Sequence, residues 1–127
     1  PMPDELTTLW CWFLVKHFVC DFPLQATPWM YRNKGTYGHP GGLAHAMIHG
    51  VGTALVLGFS VGGTATLLAI ADMIVHYHID FAKMRIGARY QLTPVNSEWF
   101  WIVLGFDQLL HYLTYVGLVM LAVSGVK

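Results

Sequence analysis

Residues 71–83 read Ala71-Asp72-Met73-Ile74-Val75-His76-Tyr77-His78-Ile79-Asp80-Phe81-Ala82-Lys83. They close an apolar run that begins near Gly63. Asp72, His76 and Asp80 are spaced i, i+4, i+8, and Lys83 follows three residues on. On a helix this spacing sets all four side chains along one stripe. Ionisable groups in an apolar run are costly unless they face one another, water or an ion. The rest of the chain has to supply that company.

The 127 residues suit a single domain, 1–127. Hydrophobic residues make up 55% and charged residues 11%, against about 25% charged in an average soluble protein. Mean hydropathy is +0.50. These values read as an integral membrane protein. The formal net charge is zero, so nucleic acid is not an expected partner. Asp21, Asp72, Asp80 and Asp107 lie inside or at the ends of apolar segments. At roughly 3 kcal/mol for an Asp at mid-bilayer, leaving all of them central and unpaired would cost on the order of 12 kcal/mol. That rivals the stability of a whole fold, so these carboxylates must be shallow, paired or liganded. Cys11 and Cys20 are too far apart on one helix to form a disulfide and read as buried thiols.

Four apolar segments, about 6–22, 43–61, 64–85 and 98–124, predict an all-α, four-transmembrane-helix, up-down-up-down bundle. The first begins with Asp4 and Glu5 rather than a basic region, so it is expected to be retained rather than cleaved as a signal peptide. Lys16 points about 100° away from its neighbour His17 and is expected to snorkel. Ala46, Gly50 and Ala54 form a small-residue stripe suited to close helix contact. Residues 23–42 and 86–97 read as polar loops, and Ser97-Glu98 as a helix start. Arg32, Lys34, Arg85 and Arg89 lie on one side, with Asp4, Glu5 and Lys127 on the other. The positive-inside rule then predicts the inner (cytoplasmic) membrane, both polar loops in the cytoplasm and both termini outside.

The opening spacing recurs. His17/Asp21, His45/His49, His76/Asp80 and Asp107/His111 are all i, i+4 pairs, one on each predicted helix. Three lie near the cytoplasmic helix ends, and Asp107/His111 is expected deeper. Such pairs put two donors on one helix face, which is how bundles build metal sites. Imidazole nitrogen with carboxylate oxygen suits a divalent ion, zinc first, with manganese or iron as alternatives. Eight candidates exceed one tetrahedral site, so one or two ions per chain are expected, with surplus carboxylates orienting imidazoles. Asp72 belongs to that outer set, and His39 and His78 read as packing or interfacial residues. A haem would leave the aspartates unexplained.

The combined pattern is His-x-x-x-Asp-Phe-x-x-Gln (His17–Gln25), Asn33-Lys34, His45-x-x-x-His49, His76-x-x-x-Asp80-x-x-Lys83 and Asp107-Gln108-x-x-His111. It resembles a family of small bacterial and phage membrane proteins of unknown function, over nearly the whole chain. It is more loosely similar to inner-membrane proteins classed as metal-dependent hydrolases. That likeness implies a membrane metalloprotein in which a metal activates water for hydrolysis. His17, His45, His49, His76 and His111 would be ligands, with Asp21, Asp80 and Asp107 as ligands or general base. Lys34, Lys83, Arg85 or Arg89 would hold an anionic group of a phosphoester or lipid-like substrate. The lipid bilayer is the expected partner, with a homo-oligomer as a further expectation. The alternatives are a non-enzymatic ion or proton carrier, a metal sensor, or a structural protein whose His/Asp network stabilises the bundle.

Overall fold

The computed structural model describes residues 3–125, so Lys127 lies outside them. The elements are α1 (Pro3–Asp21), one 3₁₀ turn (Pro23–Gln25), the short α2 (Pro28–Tyr31), α3 (Pro40–Val61), α4 (Thr64–Arg89) and α5 (Glu98–Gly125). No strand occurs among the described residues. α3, α4 and α5 are each long and apolar enough to cross a membrane. α1 carries Asp4, Glu5, Lys16 and Asp21 within its 19 residues and falls outside that group.

Local chemistry explains the boundaries. His39 caps α3 ahead of Pro40, its Nδ1 accepting the Gly41 N–H at 3.0 Å. Ser97 Oγ accepts the Trp99 N–H at 3.1 Å ahead of Glu98. Both side chains satisfy a first-turn N–H that has no partner inside the helix. α3 ends at Gly62, whose φ of +61° is a conformation glycine adopts without strain. α4 continues to Arg89 rather than ending near residue 85. Arg85, Ile86, Ala88 and Arg89 all tolerate a helix, and a single glycine does not stop it.

Each long helix buries one stripe whose character changes along its length. On α1 the stripe is Leu9, Phe13, Lys16, His17, Cys20 and Asp21. On α3 it runs from Leu57 and Thr53 to His49 and His45. On α4 it runs from Ala65 and Leu68 to Asp72, His76 and Asp80, and on α5 from Ala122 and Leu118 through Tyr115 to His111 and Asp107. The apolar ends meet in a core around Phe13, Leu57, Leu68, Tyr115 and Leu118. The polar ends meet at the opposite end of the bundle.

Two glycines set the spacing there. A Cβ on Gly50 would come 3.2 Å from Met73 Cβ and 3.4 Å from Ala69 O, so α3 and α4 lie close. A Cβ on Gly52 would come 2.9 Å from Lys16 Cγ, so this glycine leaves room for the lysine stem. The outer faces are apolar on all four long helices: Leu14 and Phe18, Met47 and Val51, Leu67 and Ile70, Ile102 and Leu113 are exposed. An apolar exterior around an interior that is polar at one end departs from the arrangement of a soluble domain.

The stretch expected as a polar loop over 23–42 is mostly exposed, carries two short helical turns, and gives its last residues to α3. Pro23 and Pro28 each start a short helical turn, where a missing N–H costs nothing. The chain then folds back over the polar end of the bundle. The Gly38 N–H donates to Tyr77 OH at 2.7 Å, and a Cβ on Gly35 would come 2.9 Å from Met84 Cβ. This return carries Lys34 inward. Of the two cysteines expected to be buried, Cys20 is and Cys11 is exposed.

Candidate metal centre

The centre is built in two levels. In the lower one, Lys16 does not snorkel but is buried. Its Nζ lies 3.1 Å from Asp72 Oδ2, 2.9 Å from His49 Nδ1 and 3.4 Å from Tyr115 OH. Thr53 Oγ1 donates to the same Asp72 oxygen at 2.5 Å. A buried carboxylate needs a counter-charge, and Asp72 finds it on another helix. Lys16 lies three residues after Phe13, so it shares the stripe of the core rather than the outer face. As a donor-only ammonium, Lys16 makes His49 Nδ1 an acceptor. The proton of His49 then sits on Nε2, which donates to Asp21 Oδ1 at 2.8 Å.

The upper level holds the four i, i+4 pairs. His45 Nε2, His76 Nε2 and Asp80 Oδ2 form a nearly equilateral triangle: 3.1 Å between the two nitrogens, and 3.2 Å from each to the oxygen. Asp21 Oδ1 stands beside it, 3.3 Å from His45 Nε2 and 3.9 Å from His76 Nε2. Tetrahedral zinc with bonds of about 2.0–2.1 Å spaces its ligand atoms by about 3.4 Å. The triangle is therefore close to one face of such a site. Asp80 Oδ2 is buried and accepts no hydrogen bond despite these near neighbours, and His45 Nδ1, His76 Nδ1 and Asp107 Oδ1 are likewise without one. His45 Nε2 and His76 Nε2 are within hydrogen-bond distance of each other, whereas Asp80 Oδ2, at edge distance from both, has no aligned donor and suits an ion between the three.

The remaining residues surround the triangle. His17 Nε2 lies 3.1 Å from Asp21 Oδ2 and 2.7 Å from Gln108 Oε1, while its Nδ1 lies 2.7 Å from Tyr115 OH. His111 Nε2 lies 3.2 Å from Asp80 Oδ1 and 3.4 Å from Asp107 Oδ1. His49, His76 and His111 stack in sequence, with ring centroids 3.6 Å and then 4.1 Å apart. Lys34 Nζ lies 3.2 Å from Asp80 Oδ2, and Lys83 Nζ 3.4 Å from Asp107 Oδ2.

Asp107 and His111 are level with the other pairs, not deeper. The added length of α4 explains it. Asp80 lies nine residues before the end of α4 at Arg89, and Asp107 nine residues after the start of α5 at Glu98. The two extensions match, so the pairs meet.

The match to known families covers this whole assembly. A family described as Protein of unknown function (DUF3307) matches residues 9–126. The chain belongs to the DUF3307 family. No curated protein and no solved structure matches it. The span matched to DUF3307 contains every residue of both levels, from Lys16 to Tyr115.

Two sets of donors in this DUF3307 chain could each hold an ion: Asp21, His45, His49 and His76, and then His76, Asp80 and His111. His76 belongs to both, so six of the eight sequence candidates form one assembly, and His17 and Asp107 adjoin it through Asp21 and His111 without belonging to either set. Lys34 and Lys83 join it as ion-pair partners of Asp80 and Asp107. Arg85 and Arg89 are exposed, and so is His78, which bonds to Tyr37 OH at 2.9 Å. Sequence reasoning missed Lys16, Thr53 and Tyr115 as members. The signal for Lys16 and Tyr115 was their spacing from residues already on the buried stripe: Phe13 and Lys16, then His111 and Tyr115. Thr53 follows His49 by four residues in the same way.

Proposed function

We propose that the chain is a membrane-embedded metalloprotein holding a divalent ion at His45, His76 and Asp80, with hydrolysis of a phosphoester or lipid-like substrate as its reaction. The observation that carries the reading is the His45–His76–Asp80 triangle, whose Asp80 Oδ2 accepts no aligned hydrogen bond although Lys34 Nζ lies 3.2 Å from it. Zinc fits the donor set best, with manganese or iron as alternatives. Asp80 Oδ1 is held by His111, and Oδ2, with Lys34 Nζ 3.2 Å away, is the oxygen turned to the ion. His49 and His17 orient Asp21. Three protein ligands leave a fourth position on the Asp21 side, as catalytic zinc sites do. A bound ion supplies Lewis acidity and lowers the pKa of water there. Asp21 takes the role of general base, and Asp107 holds Lys83 and His111 in place.

Charge supports one ion rather than two. Asp21, Asp72, Asp80 and Asp107 bring four negative charges, and Lys16, Lys34 and Lys83 three positive ones. One divalent cation leaves a net charge of one, while a second would leave three.

The inverted polarity of all four long helices, α1 included, supports four membrane crossings in an up-down-up-down bundle. The cluster then lies in the cytoplasmic half of the inner membrane, with both termini outside. α1 is the one long helix not apolar enough by length and composition to count as a crossing, yet its charges at Lys16 and Asp21 are buried in the bundle.

The same charge count favours a second reading. With neutral histidines the cluster sums to minus one, which a single imidazolium would also neutralise without metal. Elemental analysis of the purified full-length chain separates the two readings. About one equivalent of metal, lost together with activity on a phosphoester panel in His76→Ala, is the expected result. A metal-free protein whose melting is unmoved by chelator would establish the structural network instead.

A further inference from the structure

α4 and α5 part on their outer side to leave a groove of about 500 Å³, within the roughly 300–1,000 Å³ of small-ligand sites. Ile74, Val75 and Ile79 of α4 face Phe106 and Leu110 of α5 across it. Lys83 and Asp107 also line the groove, through the apolar atoms of their side chains, while their charged ends pair with each other at 3.4 Å. Asp107 links it to the centre, because its other oxygen lies 3.4 Å from His111 Nε2, which in turn lies 3.2 Å from Asp80 Oδ1. Lys83 is the least covered lysine of the network, with 21% of its side chain exposed against 6% for Lys34 and 4% for Lys16.

Both walls belong to helices apolar enough to cross a membrane. In a bilayer, what lies against such a groove is hydrocarbon. From Lys83 to Val75 is eight residues, or about 12 Å along the helix, a run of apolar wall below one cation. A second helix does not suit the space. It would need a width of about 10–12 Å, and tight membrane packing uses small residues, whereas these walls are branched and aromatic.

Resting on the proposed membrane placement and hydrolysis, we infer that this groove seats one acyl chain of an anionic phospholipid, its phosphate against Lys83. The groove thus admits substrate sideways from the bilayer and names its class. The phosphate competes with Asp107 for Lys83, so substrate arrival frees a carboxylate beside His111.

Native mass spectrometry of the full-length protein in detergent tests this, with dioleoyl phosphatidic acid, dioleoyl phosphatidylcholine and inorganic phosphate as the three probes. Phosphatidic acid is expected to be retained in preference to the other two. Ala82→Trp, which fills the groove from its exposed rim, is expected to weaken that retention about tenfold with metal content and melting unchanged. Leu110→Phe, a smaller intrusion, should fall between. Lys83→Gln should abolish the preference over phosphatidylcholine. Retention unaffected by both groove variants would overturn the inference. So would equal retention of phosphatidylcholine, full displacement by inorganic phosphate, or a dimer that Ala82→Trp disperses. Selective retention without turnover would refute the hydrolytic reading and leave the lipid site standing.

Discussion

Lys16 Nζ lies 2.9 Å from His49 Nδ1, at a depth where both side chains are almost fully buried. The contact joins the ion pair with Asp72 to the imidazole that holds Asp21. The lower level is therefore the support on which the centre rests.

Removing that support should be costly. Lys16→Met leaves Asp72 buried without a counter-charge, and breaking one half of such a pair costs about 3–5 kcal/mol. Lys16→Met combined with Asp72→Asn should recover a large part of the loss. A double-mutant cycle on unfolding in detergent measures the coupling, and additive losses would show that the pair is not coupled.

Metal retention should sort the histidines. His45→Ala, His76→Ala and Asp80→Ala are expected to lose stoichiometric metal. His111→Ala, which removes the group that orients Asp80 and stacks on His76, should weaken affinity by roughly 10- to 100-fold. Titration of the stripped protein with zinc gives both numbers. An Asp80→Ala variant that keeps a full equivalent would place the ion elsewhere in the cluster.

A chelator should lower the melting temperature, and zinc should restore it. At free metal about 100-fold above Kd, the bound ion contributes about 2.7 kcal/mol. His17→Asn, at the edge of the cluster, should keep most of this response, whereas His76→Ala should show none.

Gly52→Ala should be destabilising although it is a helix-favouring change. The added Cβ meets the Lys16 stem at 2.9 Å, and overpacking of this kind costs about 1–3 kcal/mol. Gly58→Ala, where a Cβ meets nothing within 4 Å, should instead gain from helix propensity. Comparative melting of the two variants checks the sign.

For the membrane crossings, labelling by an impermeant maleimide is expected to follow chain order, in a background where Cys11 and Cys20 are replaced by Ser. Cysteines placed at Thr36 and Val95 should react from one side and one at Gly63 from the other. Reaction of all three from a single side would remove the four-crossing arrangement.

The four spaced pairs were readable because each lies within one helix, where the residue interval alone fixes the face. Whatever depended on a second helix was not. The burial of Lys16 required Asp72, 56 positions away, and space at Gly52. The level of Asp107 required the true end of α4, which no strong stop residue marks. Lys34 reached Asp80 only because residues 23–39 turn back over the bundle, and a glycine- and proline-rich stretch reads as loop until its contacts are known. Thr53 and Tyr115 are residue types at home in any helix and stand out only beside the lysine they touch.

The pairing of early residues with late ones also bears on how the chain is made. Lys16 and Asp21 emerge first, yet their partners His45, His49 and Asp72 come from α3 and α4, and Asp80 is completed by His111 of α5. A ribosome that has delivered only the first two long helices presents the insertion machinery with charges still lacking their counterparts. Lys16 meets Asp72 only once α4 has been made, and Asp80 meets His111 only once α5 has, so the polar end of the bundle is the last part to close.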